Sequence, residues 1–355
     1  MLGHRTVHAH LQSFVGSRAD VQAWFETVPE PGRLGFRAVK PYPRLGSLDL
    51  FELRWRLRWS WMARRILRSH LQATDAVFVN TQSCALLFRR ECRSVRCVLS
   101  VDATGEQYAR LAYYRPRDRF SRAGERVLFE LERRAFRRAS RIVAWTEWAA
   151  DSLRTDYGVS DDRIVTLHPG APLVGLRSIE PDHAGAPLEP LRAVFIGNDV
   201  ERKGLPVLLE AVRRLDGEVE LDVITSRPLP GAPHTRVHHG VATGSPQFLQ
   251  LLAHADVLVL PTRADAVPWV IIEGMAAGLA IVSTAVGGIP ELVGDAGIIV
   301  PPGDTEALAI QLAGLAGDHV ECRRRAVAAR RRAEERYDAA RQLPKLLDVM
   351  LEAAA

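Results

Sequence analysis

The chain has 355 residues, more than a single compact core usually holds, so two domains are expected. Hydrophobic residues make up 47% and charged residues 25%, an ordinary globular balance. A net charge of +5, with arginine outnumbering lysine 44 to 3, favours anionic partners; no RNA- or DNA-binding signature of aromatic and basic residues accompanies it, so no nucleic acid is expected. The four cysteines, Cys84, Cys92, Cys97 and Cys322, have neither metal-ligand spacing nor a disulfide-framework pattern, which fits a reducing cytoplasm. No run approaches 18 apolar residues and no signal peptide is read, so a transmembrane helix is not expected.

In chain order, Gly3-His4-Arg5-Thr6 reads as a loop with no strand in front of it. A helix over 53–68 carries six arginines and three tryptophans, which suits the interface of an anionic membrane as well as a packed, solvated helix. Apolar runs predict buried strands over 76–79, 97–101, 142–145 and 164–167. Helices are predicted over 125–138 and 148–157, the second capped by Gly158. Alternation of strands and helices argues for a parallel sheet. His168-Pro-Gly170 closes this half, and 171–190, rich in proline and glycine, reads as a linker.

The second half is more informative. A strand at 194–196 leads into the polar loop Gly197-Asn-Asp-Val-Glu-Arg-Lys-Gly204, and a helix follows over 205–215. Arg202 and Lys203 fall where that helix begins, beside exposed helix N–H groups, an arrangement suited to a diphosphate. A strand at 257–260 is followed by Asp265-Ala-Val-Pro-Trp-Val-Ile-Ile-Glu273 and Gly-Met-Ala-Ala-Gly278. Pro268 suits a helix start and Gly278 a helix stop. Asp265 is then expected in the loop and Glu273 in the helix. After a strand at 281–283 comes Val286-Gly-Gly-Ile-Pro-Glu291, whose glycines let backbone amides approach a ligand. An Arg-rich helix over 323–336 reads as solvated, and a last helix spans 337–351. His168, His238 and His239 read as packed or surface groups. No Gly-x-Gly-x-x-Gly follows any strand, which argues against a nicotinamide dehydrogenase.

These segments, in this order, resemble the C-terminal half of retaining GT-B glycosyltransferases of family 4, with Asp265 where the family has a glutamate. The resemblance is strong over 191 to about 345. It implies a GT-B α/β fold: two Rossmann-like domains facing a cleft, with a C-terminal helix crossing back to the first. The expected division is 1–170 for an acceptor-binding domain whose first strand is missing, 171–190 for the linker, 191–335 for a nucleotide-sugar-binding domain, and 336–355 for the crossover helix.

The resemblance also implies roles. Arg202 and Lys203 would bind the donor diphosphate, and Glu273 would hold ribose hydroxyls. Asp265 would face the transferred sugar, while Gly197, Gly287 and Gly288 would line the donor. Gly3, His4 and Arg5 would lie on the acceptor side. Asp102, in Ser100-Val-Asp-Ala-Thr104 after a strand, takes the place of a family residue near the reacting sugar; the donor phosphate is its rival as base. Asn80 departs from the histidine of a family subset, and Thr146-Glu147-Trp148 resembles a family turn.

The implied activity is transfer of a sugar from a nucleotide-diphosphate sugar to a glycan or lipid-linked hydroxyl acceptor. No cofactor and no obligatory metal are implied. The 53–68 helix would allow peripheral contact with an anionic membrane from the cytoplasm. The alternative is a degenerate GT-B protein that binds nucleotide sugar or glycan without catalysis.

Overall fold

The computed structural model describes residues 2–29, 51–111, 119–168, 170–179 and 190–354. They form two compact units: 1–169 with 342–355, and 170–341. Among the described residues, no helix is long and apolar enough to cross a membrane.

The first unit contains α1 (Leu2–Gly16), α2 (Phe51–His70), β1 (Ala76–Val79), α3 (Glu91–Ser94), β2 (Arg96–Val101), α4 (Gly105–Arg110), α5 (Arg119–Arg138), β3 (Arg141–Ala144), α6 (Glu147–Thr155) and β4 (Ile164–Thr166). Its four strands pair in parallel, in the order β1-β2-β3-β4. β2 and β3 are buried almost throughout, as parallel strands covered on both faces must be.

Here the structure corrects the reading of the amino terminus. Gly3, His4 and Arg5 lie in the first turns of α1, not in a loop. Val7, Leu11 and Val15, four residues apart, are buried and form the apolar stripe that makes this segment helical. The side chains of His4 and Arg5 lie outside the described set.

α2 is anchored from one side. Trp59 is buried, donates from Nε1 to the Val28 carbonyl at 3.2 Å and packs against Trp55 at 4.9 Å between ring centres. Arg64 and Arg68 converge on one Oε1 of the buried Glu91, at 2.8 and 2.7 Å. Burial alone would raise the Glu91 carboxyl, but hydrogen bonds from Arg64, Arg68 and nearby backbone outweigh it and hold it at about 2.

The second unit contains α7 (Val174–Arg177), β5 (Leu191–Ile196), α8 (Leu205–Arg214), β6 (Val219–Ile224), β7 (Thr235–His238), α9 (Pro246–His254), β8 (Val257–Leu260), α10 (Trp269–Ala277), β9 (Ala280–Thr284), α11 (Ile289–Val293), β10 (Gly297–Val300), α12 (Thr305–Gly317) and α13 (His319–Arg336). A last helix, α14 (Ala339–Ala354), starts in this unit, and from Gln342 its residues belong to the first. The sheet order is β10-β9-β8-β5-β6-β7, all parallel. The chain runs outward from β5 through β6 to β7, then returns to β5's other side as β8. The strand order therefore reverses between β5 and β8, and loops at such a switch point are where open α/β sheets bind ligands.

Two sequence expectations change. Part of the stretch read as a linker is built into this unit. Leu173, Leu176 and Ile179 are buried, the Ala171 N–H donates to the Tyr337 carbonyl at 2.7 Å, and Arg177 pairs with Asp338; residues 180–189 lie outside the described set. The Arg-rich helix is not uniformly solvated either. Arg330 donates to the carbonyls of Ala277 and Ile179 at 2.8 and 2.7 Å, and Arg332 to those of Leu292 and Glu291 at 2.9 and 2.7 Å. One face of α13 thus satisfies carbonyls at the ends of α10 and α11.

Candidate active site

The loops after β5 and β8 bring Arg202, Lys203 and Asp265 together. Asp265 Oδ2 accepts from Arg202 Nη1 at 3.0 Å and from Lys203 Nζ at 3.2 Å. All three side chains are only 15–17% exposed, so the pairs are shielded from water on most sides. Arg202 is further fixed: Nε donates to Asp199 Oδ2 at 2.9 Å and Nη1 to the Ala264 carbonyl at 2.6 Å. Its own carbonyl accepts from the Arg263 N–H at 2.8 Å and the Thr262 hydroxyl at 3.1 Å. Arg202 is therefore a structural cross-link between the two loops, and Lys203 is the less constrained cation.

Glycines allow this approach. Gly204, the N-cap of α8, has φ +81°, and a Cβ there would lie 1.9 Å from the Pro261 carbonyl oxygen. Gly197 leaves room for the Lys203 stem, since a Cβ on it would come within 2.6 Å of Lys203 Cδ. In the third loop, Gly287 has φ +59°, and an added Cβ would meet the Asp265 carbonyl oxygen at 2.1 Å. The Gly288 N–H donates to the Ala266 carbonyl at 2.9 Å. This revises the reading of the paired glycines. The Gly288 amide secures one loop against the next, and Gly287 lets the two backbones touch.

Glu273 lies in the second turn of α10, between Ile272 and Gly274, which are both buried. Gly278 ends that helix in the left-handed region, as expected, while Pro268 is its N-cap. Loss of hydration pushes the Glu273 carboxyl up to about 7, and the charge of Lys203 pulls it partly back. The folded pKa thus lies above the unfolded one, so the fold holds a proton that the unfolded chain releases between about pH 4.5 and 7. Stability contributed by this group is present below that window and is lost as pH rises through it. Wild-type protein is expected to lose about 1–3 kcal/mol between pH 5 and 8 from this source. Glu273→Gln should flatten that part of the profile. Urea unfolding of both proteins at the two pH values measures it, and parallel profiles would contradict the assignment.

In the first unit, Asp102 follows β2. Its Oδ1 accepts from the Ala103 N–H at 2.9 Å and its Oδ2 from the Tyr108 hydroxyl at 3.0 Å. The helix cap here is Thr104, which forms a capping box with Gln107. Asn80 lies after β1, and the neighbouring Gln82 donates to the Ala103 carbonyl at 2.7 Å. Thr146 caps α6, and Glu147 pairs with Arg154. His168 is buried against Trp145, 5.4 Å between ring centres, and burial lowers it to about 3. His238 bonds Asp222 at 2.6 Å, and the exposed His239 bonds the Thr225 carbonyl at 3.0 Å.

Sequence reading missed Glu132. This fully buried carboxylate accepts from the Gly105 N–H at 3.0 Å and the Tyr157 hydroxyl at 2.7 Å, and lies 3.6 Å from Arg56. Burial drives its pKa upward. It fixes the turn that carries Asp102. Its position in an amphipathic, charged helix gave no signal. Thr262 and Thr284 were also missed; both are fully buried, and the Thr284 hydroxyl donates to the Thr262 carbonyl at 2.6 Å.

Known proteins carry the same architecture. WaaG, a glycosyltransferase involved in lipopolysaccharide biosynthesis, superposes with a TM-score of 0.66 at 17% identity over 98% of this chain and 96% of that one. Anabaena HepE, solved in complex with UDP, gives 0.64 at 15% identity over 82% of each chain. The fold is the two-domain GT-B fold of glycosyltransferases. Residues 190–318 match the family model of glycosyl transferases group 1, and residues 5–173 match that of glycosyltransferase family 4. The chain is thus similar to glycosyl transferases group 1 over 190–318 and to glycosyltransferase family 4 over 5–173.

Among curated relatives, MMP alpha-(1->4)-mannosyltransferase of Mycolicibacterium hassiacum is 28% identical over 58% of this chain and 52% of its own length. D-inositol 3-phosphate glycosyltransferase of Saccharomonospora viridis is 31% identical over 61% and 56%. The chain thus spans about half the length of the curated relatives it matches. Nothing among these relatives supports a non-catalytic protein.

Proposed function

We propose that the chain transfers a sugar from a nucleotide-diphosphate sugar to a hydroxyl of a glycan or lipid-linked acceptor, with retention at the anomeric carbon. The convergence of Arg202, Lys203 and Asp265 at the β5–β8 switch point supports this most directly. Lys203 and Arg202 would offset negative charge growing on the departing diphosphate, which is stabilisation aimed at the transition state. The proposal needs no resident metal and no cofactor for this. Glu273, once ionised, would accept hydrogen bonds from ribose hydroxyls, and Asp265 would orient both the cations and the transferred sugar. The acceptor proton would pass to Asp102 or to an oxygen of the donor diphosphate. Two relatives carry transferase names and HepE was solved with UDP, in keeping with a nucleotide-sugar donor.

A panel of nucleotide sugars tests the reading. At a concentration near 100 Kd, the cognate donor should stabilise the protein by about 2.7 kcal/mol and raise its melting temperature by roughly 2–6 °C. A uniformly flat panel, with no nucleoside diphosphate released in any donor–acceptor mixture, would sink the proposal.

A further inference from the structure

α2 has two faces. One is buried or tied down, as described for Trp59 and Arg64. The other exposes Arg54, Arg58, Trp61, Arg65 and Arg68, at successive steps of four, three, four and three residues. That is the spacing of one continuous helical stripe. Trp61 is 52% exposed, with the Arg65 guanidinium 6.0 Å from its ring centre. A large aromatic ring held outward among cations is an amphipathic contact group.

The stripe continues beyond the helix. Glu91, which binds Arg64 and Arg68, also accepts from the Arg89 N–H at 3.0 Å, so the exposed Arg89, Arg90 and Arg93 adjoin the end of α2. Arg138 near the end of α5 lies against the same group: burial, then the charges of Arg89, Arg134 and Arg93, lower its pKa. Among the described residues, the acids facing this cluster include Glu91, buried and already shared by two arginines, and Glu130, paired with Arg133 and Arg134. Like charges crowded this closely are unfavourable unless an extended anion offsets them.

We propose that this arginine face, with Trp61 at its centre, docks the first unit onto the anionic surface of a lipid bilayer. A bilayer matches both components, since its phosphates meet a broad row of cations while its headgroup region accepts an indole ring. The inference stands apart from the transfer reading, and its test uses neither donor nor acceptor.

Full-length protein is mixed with vesicles of phosphatidylcholine containing 30% phosphatidylglycerol and pelleted at 0.1 and 0.5 M salt. We expect binding at low salt, its loss at high salt, and none to pure phosphatidylcholine. The double variant R65Q/R93Q should partition about ten- to thirty-fold less well, and Trp61→Ala should also weaken binding. Circular dichroism and the melting temperature establish that the variants are folded. Should the double variant not fold, the salt and lipid comparisons on unaltered protein still decide the matter. Equal binding to neutral vesicles, undiminished binding of folded R65Q/R93Q, or retention by duplex DNA without any by vesicles would each overturn the proposal.

Discussion

Lys203→Ala is expected to lower kcat/KM by about 10²–10³-fold while leaving the melting temperature within about 3 °C of wild type. The asymmetry follows from the bonds each cation makes. The Lys203 ammonium has one hydrogen bond, to Asp265, and its stem crosses Gly197. Removing it breaks a single partly screened ion pair, which costs little in stability. It also removes the more mobile positive charge proposed to meet the departing diphosphate. Arg202→Ala should behave differently. Its guanidinium ties Asp199, Ala264 and Asp265 together, so its loss should reduce activity and stability at once. Steady-state kinetics alongside calorimetry separates the two cases. Full turnover by Lys203→Ala would remove the central cation from the proposed mechanism.

The second large effect is expected at Gly287. An alanine there would have to hold φ +59° and place a methyl carbon 2.1 Å from the Asp265 carbonyl oxygen. No rotamer relieves a Cβ clash with backbone. Either the β9–α11 loop moves or the loop bearing Asp265 does. We expect a loss of about 2–4 kcal/mol together with impaired donor binding, because the shifted loop carries the carboxylate that positions both cations. Gly288→Ala is the control: φ there is −83°, a backbone conformation open to any residue. Comparable melting temperatures for the two variants would show that the crowding at 287 is readily absorbed.

Much of the second unit was legible. Short apolar runs ended by proline or glycine located β5, β8 and β9. The order of loops placed Arg202, Lys203 and Asp265 in one neighbourhood, because a parallel sheet puts every strand-to-helix turn on the same edge. The sequence could not show that Asp265 binds both cations itself, since that depends on side-chain direction within irregular loops. Nor could it show that the Gly288 amide is used internally. In the first unit the reading leaned on resemblance at Gly3 to Arg5 and overlooked the four-residue spacing of Val7, Leu11 and Val15. The Arg330 and Arg332 contacts were hidden for another reason: an arginine that grips distant carbonyls looks, in sequence, like one that faces water.

The Asp265 bridge has a kinetic corollary. Under the proposed reaction, an aspartate already bonded to Arg202 and Lys203 would compete with each incoming phosphate. Affinity for a nucleotide would then be lower than the bare cations would confer, and a departing nucleoside diphosphate would leave charges that Asp265 neutralises again. Such a site would trade tight capture for ready turnover, with the aspartate as a built-in ejector, and an Asp265→Asn protein would be expected to cling to its product.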